Sequence, residues 1–438
     1  MKFINAVALL CHGWLLKPGL AAVEGPLQTG IGKPRVPLSV SSRWIVDSAG
    51  KRVKLRCINW AGHLEVNIPE GLHRQSVEKT VDWIAAQGFN CVRLTYSTDM
   101  ALQPNLRVWE SFSRAANVTG VEEAAMMRLY NSAVEKNPFL ADGTVIDAFD
   151  RVQAALWDRG LMTILDNHVS RAGWCCDLGD GNGWWKGAAP GGDRDSRFFD
   201  PDQWRSGLVA MASWSRTRPG VVGLSLRNEL RALPVKPRGT SLKKLLTAAY
   251  ETWLEYMPTA ARLVHASNPD ALVIVGGING GLDLRALRIL RPMNETSWAM
   301  KRVWEAHSYS FTFLTPNFGI CPLLKAELGI YFGFVLEQNK PFTGPLFLSE
   351  FGVSMTDGNP THGGLTDKDV KFLDCLSEYM AGNDADWGFW AVQGSYYVRN
   401  QKVDFDETWG ALDYQWRDWR NPTFKARLGK MMGVTQGP

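Results

Sequence analysis

Short apolar runs bounded by breakers alternate along this chain with stretches in which apolar residues recur every three or four positions. The runs cover residues 55–60, 89–94, 162–166, 222–229, 272–276, 303–307, 346–352 and 387–391. Runs of this length flanked by Gly, Pro or Asn predict strands covered on both faces. Between them, 76–87 reads as an amphipathic helix, with Val77, Val81 and Ile84 on one face and Gly88 ending it. Residues 144–159 form a second helical pattern, stopped by Gly160. A further one opens at Asp200-Pro201, an N-cap followed by Pro in the first turn, with Trp204, Leu208, Met211 and Trp214 as its apolar face. Helices are also predicted over 241–267, closed by Asn268-Pro269, and over 367–383. Ahead of the alternation, 44–46 and 51–55 flank the turn-like Asp47-Ser48-Ala49-Gly50 and predict a hairpin. Repeated strand–helix units with eight strands imply a parallel sheet closed on itself. The expected fold is α/β, a (β/α)8 TIM barrel with an N-terminal β-hairpin, spanning residues 23–438 as one domain. The segments 99–143 and 169–200 are long βα-loop insertions, expected to wall a cleft.

In such a barrel, chemistry sits where strands end. The run at 222–229 ends in Asn228-Glu229, and the run at 346–352 carries Glu350 within Ser349-Glu350-Phe351-Gly352. Either acid alone could simply begin a polar loop. Two carboxylates offered from two strand ends are the apparatus of glycoside hydrolysis. The other strands bring Arg93, His168 in Asp166-Asn167-His168, His307 with Tyr309, and Trp390. Each has a plain alternative, a surface ion pair for Arg93 and core packing for His168 or Trp390. An Arg within an apolar strand is nevertheless costly unless paired. His63 and Trp60 are weaker candidates, and His265, in mid-helix, is unrelated. Trp174, Trp184 and Trp185 in a Gly-rich loop read either as further sugar contacts or as local packing.

Across roughly 40–422 the chain resembles glycoside hydrolase family 5, the cellulase-type retaining enzymes. Asn228-Glu229 after a strand, the intervening His307-Ser308-Tyr309, and Ser349-Glu350-Phe351-Gly352 carry the resemblance. It implies double displacement, with Glu229 as general acid/base and Glu350 as nucleophile. It also implies that Asn228 holds the sugar 2-hydroxyl, an interaction that strengthens in the transition state. Arg93 would favour the ionised nucleophile, and Tyr309 would donate a hydrogen bond to it. Arg93, His168, Asn228, His307, Tyr309 and Trp390 are thus the expected substrate-binding set. The sequence after His168, from Val169 to Asp177, and the segment 99–143 depart from the familiar cellulase pattern and leave the substrate open.

Composition narrows the class. Net charge is +4 without a basic block, which argues against nucleic-acid or membrane partners. Nineteen Trp supply flat apolar faces suited to sugar rings, although most are expected in the core. Residues 1–22 read as a secretory signal: Lys2, an apolar stretch from Val7 to Leu16, and small residues at Leu20-Ala21-Ala22. Beyond Cys11 the chain has Cys57, Cys91, Cys175, Cys176, Cys321 and Cys375, an even set that permits bridges. Cys57 and Cys91 read equally as buried thiols; Cys175 and Cys176, in a loop, are better bridge candidates. Asn117-Val118-Thr119 and Asn294-Glu295-Thr296 fit glycosylation acceptors. No cofactor and no metal are expected, because no histidine pair has helix-type ligand spacing and the carboxylates account for the reaction. The expected protein is a secreted, extracellular, monomeric hydrolase of β-linked polysaccharide or oligosaccharide. An endo-β-1,4-glucanase leads a β-mannanase or an exo-acting glucosidase. A non-catalytic carbohydrate-binding barrel is the reading from another class.

Overall fold

The structure is a computed structural model and describes residues 33–188, 195–231, 241–312, 320–358 and 363–438. The expected signal, residues 1–22, lies outside the described residues. The strands are β1 (Ser39–Ser41), β2 (Trp44–Val46), β3 (Arg56–Trp60), β4 (Cys91–Ser97), β5 (Met162–Val169), β6 (Val221–Ser225), β7 (Leu272–Gly276), β8 (Arg302–His307), β9 (Leu346–Phe351), β10 (Asp386–Phe389), β11 (Ser395–Arg399) and β12 (Lys402–Asp406). Strands β3 to β10 close into a barrel, each paired in parallel with its sequence neighbour and β10 pairing back to β3. This is the (β/α)8 architecture that the eight apolar runs predict.

Helices α1 (Val77–Ala86), α5 (Val145–Asp158), α6 (Pro201–Ser215), α7 (Leu242–Ser267) and α10 (Asp367–Asn383) match the periodic stretches. Their starts are set by capping chemistry. Asp200 accepts from the backbone N–H groups of Asp202 and Gln203 ahead of Pro201, and Thr144 with Asp147 forms a reciprocal capping box. Segment 99–143 is mostly helical rather than an open loop. It contains most of α2 (Thr98–Leu102), together with α3 (Val108–Thr119) and α4 (Glu123–Lys136), because Val108, Phe112 and Ala115–Ala116 repeat at helical spacing and are buried. The remaining helices are α8 (Ala286–Ile289), α9 (Cys321–Tyr331) and α11 (Phe424–Met432).

The N-terminal hairpin has a different partner from the expected one. β2 pairs with β1 through Ser42, at φ 53, whereas the segment after Gly50 contributes an isolated bridge, Val46 to Arg52. The Asp47 carboxylate accepts from the N–H groups of Ala49 and Lys51, so the predicted turn forms but is not followed by a strand. Leu38, Val40 and Ile45 pack with Cys57, Ile164, Val222, Ile274, Val303 and Phe347, closing the barrel at its N-terminal end. The larger apolar layer lies between strands and helices. Disulfides join Cys57 to Cys91, which face each other in register on β3 and β4, then Cys175 to Cys176, and Cys321 on α9 to Cys375 on α10.

Candidate active site

Alternation along the strands turns the barrel interior from apolar to charged in one step. Cys57, Cys91, Ile164, Val303 and Phe347 form the lower inward layer. Two residues further on, the same faces present Asn59, Arg93, Asp166, Glu305 and Ser349, all buried. Arg93 therefore sits within β4 rather than at its tip and reaches toward the mouth. It is the hub of the interior. Its Nη1 donates to Glu350 Oε1 at 2.6 Å and to Asn59 Oδ1 at 3.0 Å, and its Nη2 donates to Asn228 Oδ1 at 2.9 Å. Asp166 and Glu305 approach it at 2.8 and 3.1 Å, close enough for ion pairing but off the axis of a hydrogen bond. Burial opposes the guanidinium's charge, but Asp166, Glu305 and Glu350 outweigh it and hold Arg93 above its ordinary pKa.

Strict alternation would send Glu350 outward with Leu346 and Leu348, which belong to the outer layer. It does not go there. The pairing of β8 with β9 slips between Ala306–Leu348 and His307–Glu350, so Ser349 is the extra residue of a bulge and Glu350 turns into the barrel beside His307. Glu350 is 5 % exposed. Burial raises its pKa, while His307 and Arg93 pull it back and Glu229 and Asp166 push it further up. The net direction is upward, so the opposite charge expected from Arg93 is present but does not overcome desolvation.

Glu229 follows the end of β6 at φ 32, a left-handed conformation costly for a residue with a side chain, and is 17 % exposed. A carboxylate oxygen of Glu229 lies within 4.8 Å of one of Glu350. His307 Nδ1 faces both, at 3.1 Å from Glu229 and 3.6 Å from Glu350. Burial disfavours the charged imidazole, but Glu350 and Glu229 together raise the His307 pKa above its usual value. The ring has close backbone beneath it: at Gly281, φ 79, an added Cβ would fall 2.9 Å from His307 Cγ. Tyr309 donates its hydroxyl to Glu350 Oε2 at 2.9 Å.

On the other side, His168 Nδ1 lies 2.6 Å from Asp166 Oδ2, and its Nε2 lies 3.3 Å from Asn228 Nδ2. Burial, then Arg93, keeps its pKa well below the usual range. A neutral ring with its proton on Nδ1 satisfies both contacts. Trp390 stacks on His168, with centroids 5.4 Å apart and planes at 17°. These groups open onto a cavity of about 310 Å³. The two expected catalytic carboxylates and all six residues of the expected substrate-binding set come together here, with Arg93 beneath and His307 between the carboxylates.

The weaker candidates separate. His63 packs behind His168, with ring centroids 3.9 Å apart; Trp60, Trp184 and Trp185 are core residues; Trp174 lines the cavity. Sequence reasoning missed Arg399, Glu407 and Trp409. They follow the last barrel strand, where the hairpin β11–β12 folds back to form a cavity wall, and Arg399 covers the Trp174 ring at 3.4 Å. Asn59 and Glu305 were also missed, although each is a polar residue two positions beyond an inward-facing apolar one in its run. Phe311, 66 % exposed and stacked on Tyr309, sits at the mouth. Among the described residues, two donor sets are compact enough to share a cation: Glu229–His307–Glu350 and Cys175–Cys176–Glu229. The first is already satisfied internally, and the sulfurs of the second are bonded to each other.

Comparison with known proteins agrees with this geometry. The family model described as Cellulase (glycosyl hydrolase family 5) matches residues 46–395. A glycosyl hydrolase 5 family protein of Chamaecyparis obtusa is 40% identical over 419 residues, covering 92% of this chain and 67% of that protein. An endoglucanase of Paenibacillus polymyxa is 22% identical, covering 89% of this chain and 85% of its own. Among solved structures, the catalytic domain of the major endoglucanase from Xanthomonas campestris pv. campestris superposes with TM-score 0.64 at 21% identity, covering 90% and 99% of the two chains. A cellotetraose complex of the endocellulase from Pyrococcus horikoshii gives TM-score 0.66 at 18% identity, covering 91% and 99%. The match over most of the chain, with a relative at 40% identity, establishes that this chain belongs to glycosyl hydrolase family 5 and is an O-glycosyl hydrolase.

Proposed function

We propose that the protein is a retaining hydrolase of β-linked glucan, most specifically an endo-β-1,4-glucanase, with Glu350 as nucleophile and Glu229 as general acid/base. The observation that carries this reading is the approach of the two carboxylates within 4.8 Å. Retaining enzymes hold their carboxyl groups about 5–5.5 Å apart, whereas inverting ones leave room for a water between them. Glu350 attacks the anomeric carbon while Glu229 protonates the departing oxygen. Glu229 then takes a proton from water as the glycosyl ester is hydrolysed. Arg93 and Tyr309 hold opposite oxygens of Glu350, so its attacking face is fixed before substrate arrives. Asn228 binds the 2-hydroxyl, His168 and Trp390 form the wall beneath the sugar, and His307 keeps the two carboxylates in register. The endoglucanase and endocellulase names among the similar proteins support the choice of β-1,4-glucan.

Proton NMR of cellopentaose hydrolysis, beside rate measurements on β-glucan, β-mannan and aryl glycosides, tests the proposal. A β-anomer appearing first, with glucan preferred, is expected. An α-anomer appearing first refutes retention, and faster turnover of mannan refutes the substrate. Export is part of the same reading. The leader-like residues 1–22, three disulfides, and exposed Asn117 and Asn294 in their acceptor sequences support it. Terminal sequencing and deglycosylation of protein recovered from culture medium test it, and a monomer is expected on sizing.

A further inference from the structure

The Cys175–Cys176 disulfide lies against an amide hydrogen of Asn228. Asn228 Oδ1 is occupied by Arg93, and one hydrogen of its Nδ2 faces His168 Nε2. The remaining hydrogen faces the two sulfurs, with Nδ2 3.5 Å from Cys175 Sγ and 3.6 Å from Cys176 Sγ. Sulfur is a weak acceptor, so a hydroxyl displaces this contact readily. Both cysteines line the cavity, and their sulfurs lie within 4.8 Å of a Glu229 carboxylate oxygen. The pair has little freedom to withdraw. Arg231 Nη1 contacts Cys175 Sγ at 3.6 Å, and Arg231 is itself held by Asp180 at 2.8 Å and the Glu229 carbonyl at 2.9 Å.

We propose that this disulfide is a specificity-determining wall at carbon 2 of the reactive sugar, admitting an equatorial hydroxyl and rejecting an axial one. The inference rests on the assignment of Asn228 to the 2-hydroxyl. A hydroxyl drawn to that amide hydrogen sits against the sulfurs. Inverting carbon 2 moves that hydroxyl off the amide and leaves both groups beside a surface with no hydrogen to donate. An unpaired polar group against such a surface costs more than a lost contact in water.

The test compares three aryl disaccharides that differ at the reactive residue: the β-glucoside, its carbon-2 epimer and the 2-deoxy analogue. The native enzyme is expected to favour the glucoside over the epimer by about 100-fold or more in kcat/KM. Cys175→Ala/Cys176→Ala is expected to narrow that preference by about tenfold, while the glucoside to 2-deoxy ratio, which reads Asn228, stays the same. Cys175→Ser/Cys176→Ser serves as the second variant if the first does not fold, with circular dichroism checking both. A folded variant whose epimer preference is unchanged overturns the wall. If the native enzyme hydrolyses none of the three, the reading of the site falls and the wall falls with it. Peptide mapping that recovers the two cysteines as free thiols in native protein also overturns the proposal.

Discussion

Replacing Arg93 by Met keeps the length of the side chain and removes the charge on which the interior converges. In the native protein this one guanidinium contacts Glu350, Asp166 and Glu305, and none of these groups has more than 5 % of its side chain exposed. Removing one member of a buried ion cluster strands the others, at a cost of about 3–5 kcal/mol. The carboxyl groups respond by taking up protons, and each unit of pKa shift is worth about 1.4 kcal/mol. The direction follows from the causes. Burial already raises the Glu350 pKa, and Arg93, with His307, pulls it down, so its loss moves the pKa further up. Attack requires ionised Glu350, so the acid limb of kcat/KM moves to higher pH and neutral activity falls. Stability changes in a related way. A carboxyl whose native pKa lies above its unfolded value penalises the fold fully above the native pKa and not at all below the unfolded one. Arg93→Met is therefore expected to destabilise more at about pH 7 than at about pH 5. Urea unfolding at both pH values and a pH–rate profile on an aryl cellobioside measure the two effects. A folded variant with the native acid limb and equal destabilisation at both pH values refutes the reasoning.

Glu350→Gln is expected to abolish turnover and covalent labelling by a 2-fluoro glycoside; labelling at another residue refutes the nucleophile assignment. Glu229→Gln should lower kcat/KM on poor leaving groups about 10²–10⁴-fold while sparing kcat/KM on activated aryl glycosides, whose turnover becomes limited by hydrolysis of the glycosyl ester and is restored by azide as a β-glycosyl azide. Tyr309→Phe leaves one oxygen of the buried Glu350 carboxylate without its hydroxyl donor, so kcat/KM should fall roughly 10- to 100-fold and urea unfolding should show a loss of about 1.5–3 kcal/mol. Lys54→Met should cost about 3–5 kcal/mol of stability and leave kinetics native. Lys54 Nζ pairs with Asp384 at 2.6 Å, the two side chains are 1% and 0% exposed, and the pair lies at the N-terminal end of the barrel, away from the cavity. Dialysis against a chelator should leave turnover unchanged; a loss restored by one cation would assign a role to the Glu229–His307–Glu350 set.

The barrel was legible in the chain because its signals are local. Apolar runs of five to eight residues, helical repeats such as Val77, Val81 and Ile84, and the Asp200-Pro201 start each act through neighbours in sequence. The polar residues at the strand ends named the site for the same reason. Other features depend on contacts between distant segments. The hairpin took β1 as its partner instead of the segment after Gly50, with Leu38, Val40 and Ile45 packed on the barrel floor. Arg399, Glu407 and Trp409 enter the cavity because β11 and β12 fold back over its mouth. Trp184 and Trp185 became core because a neighbouring helix brings Trp204 against Trp185. The sharpest case is Glu350. By period-two alternation it belongs on the outer face with Leu346 and Leu348, and a one-residue slip against β8 turns it inward. A bulge is an agreement between two strands about register, and a pattern read along one strand carries no term for it.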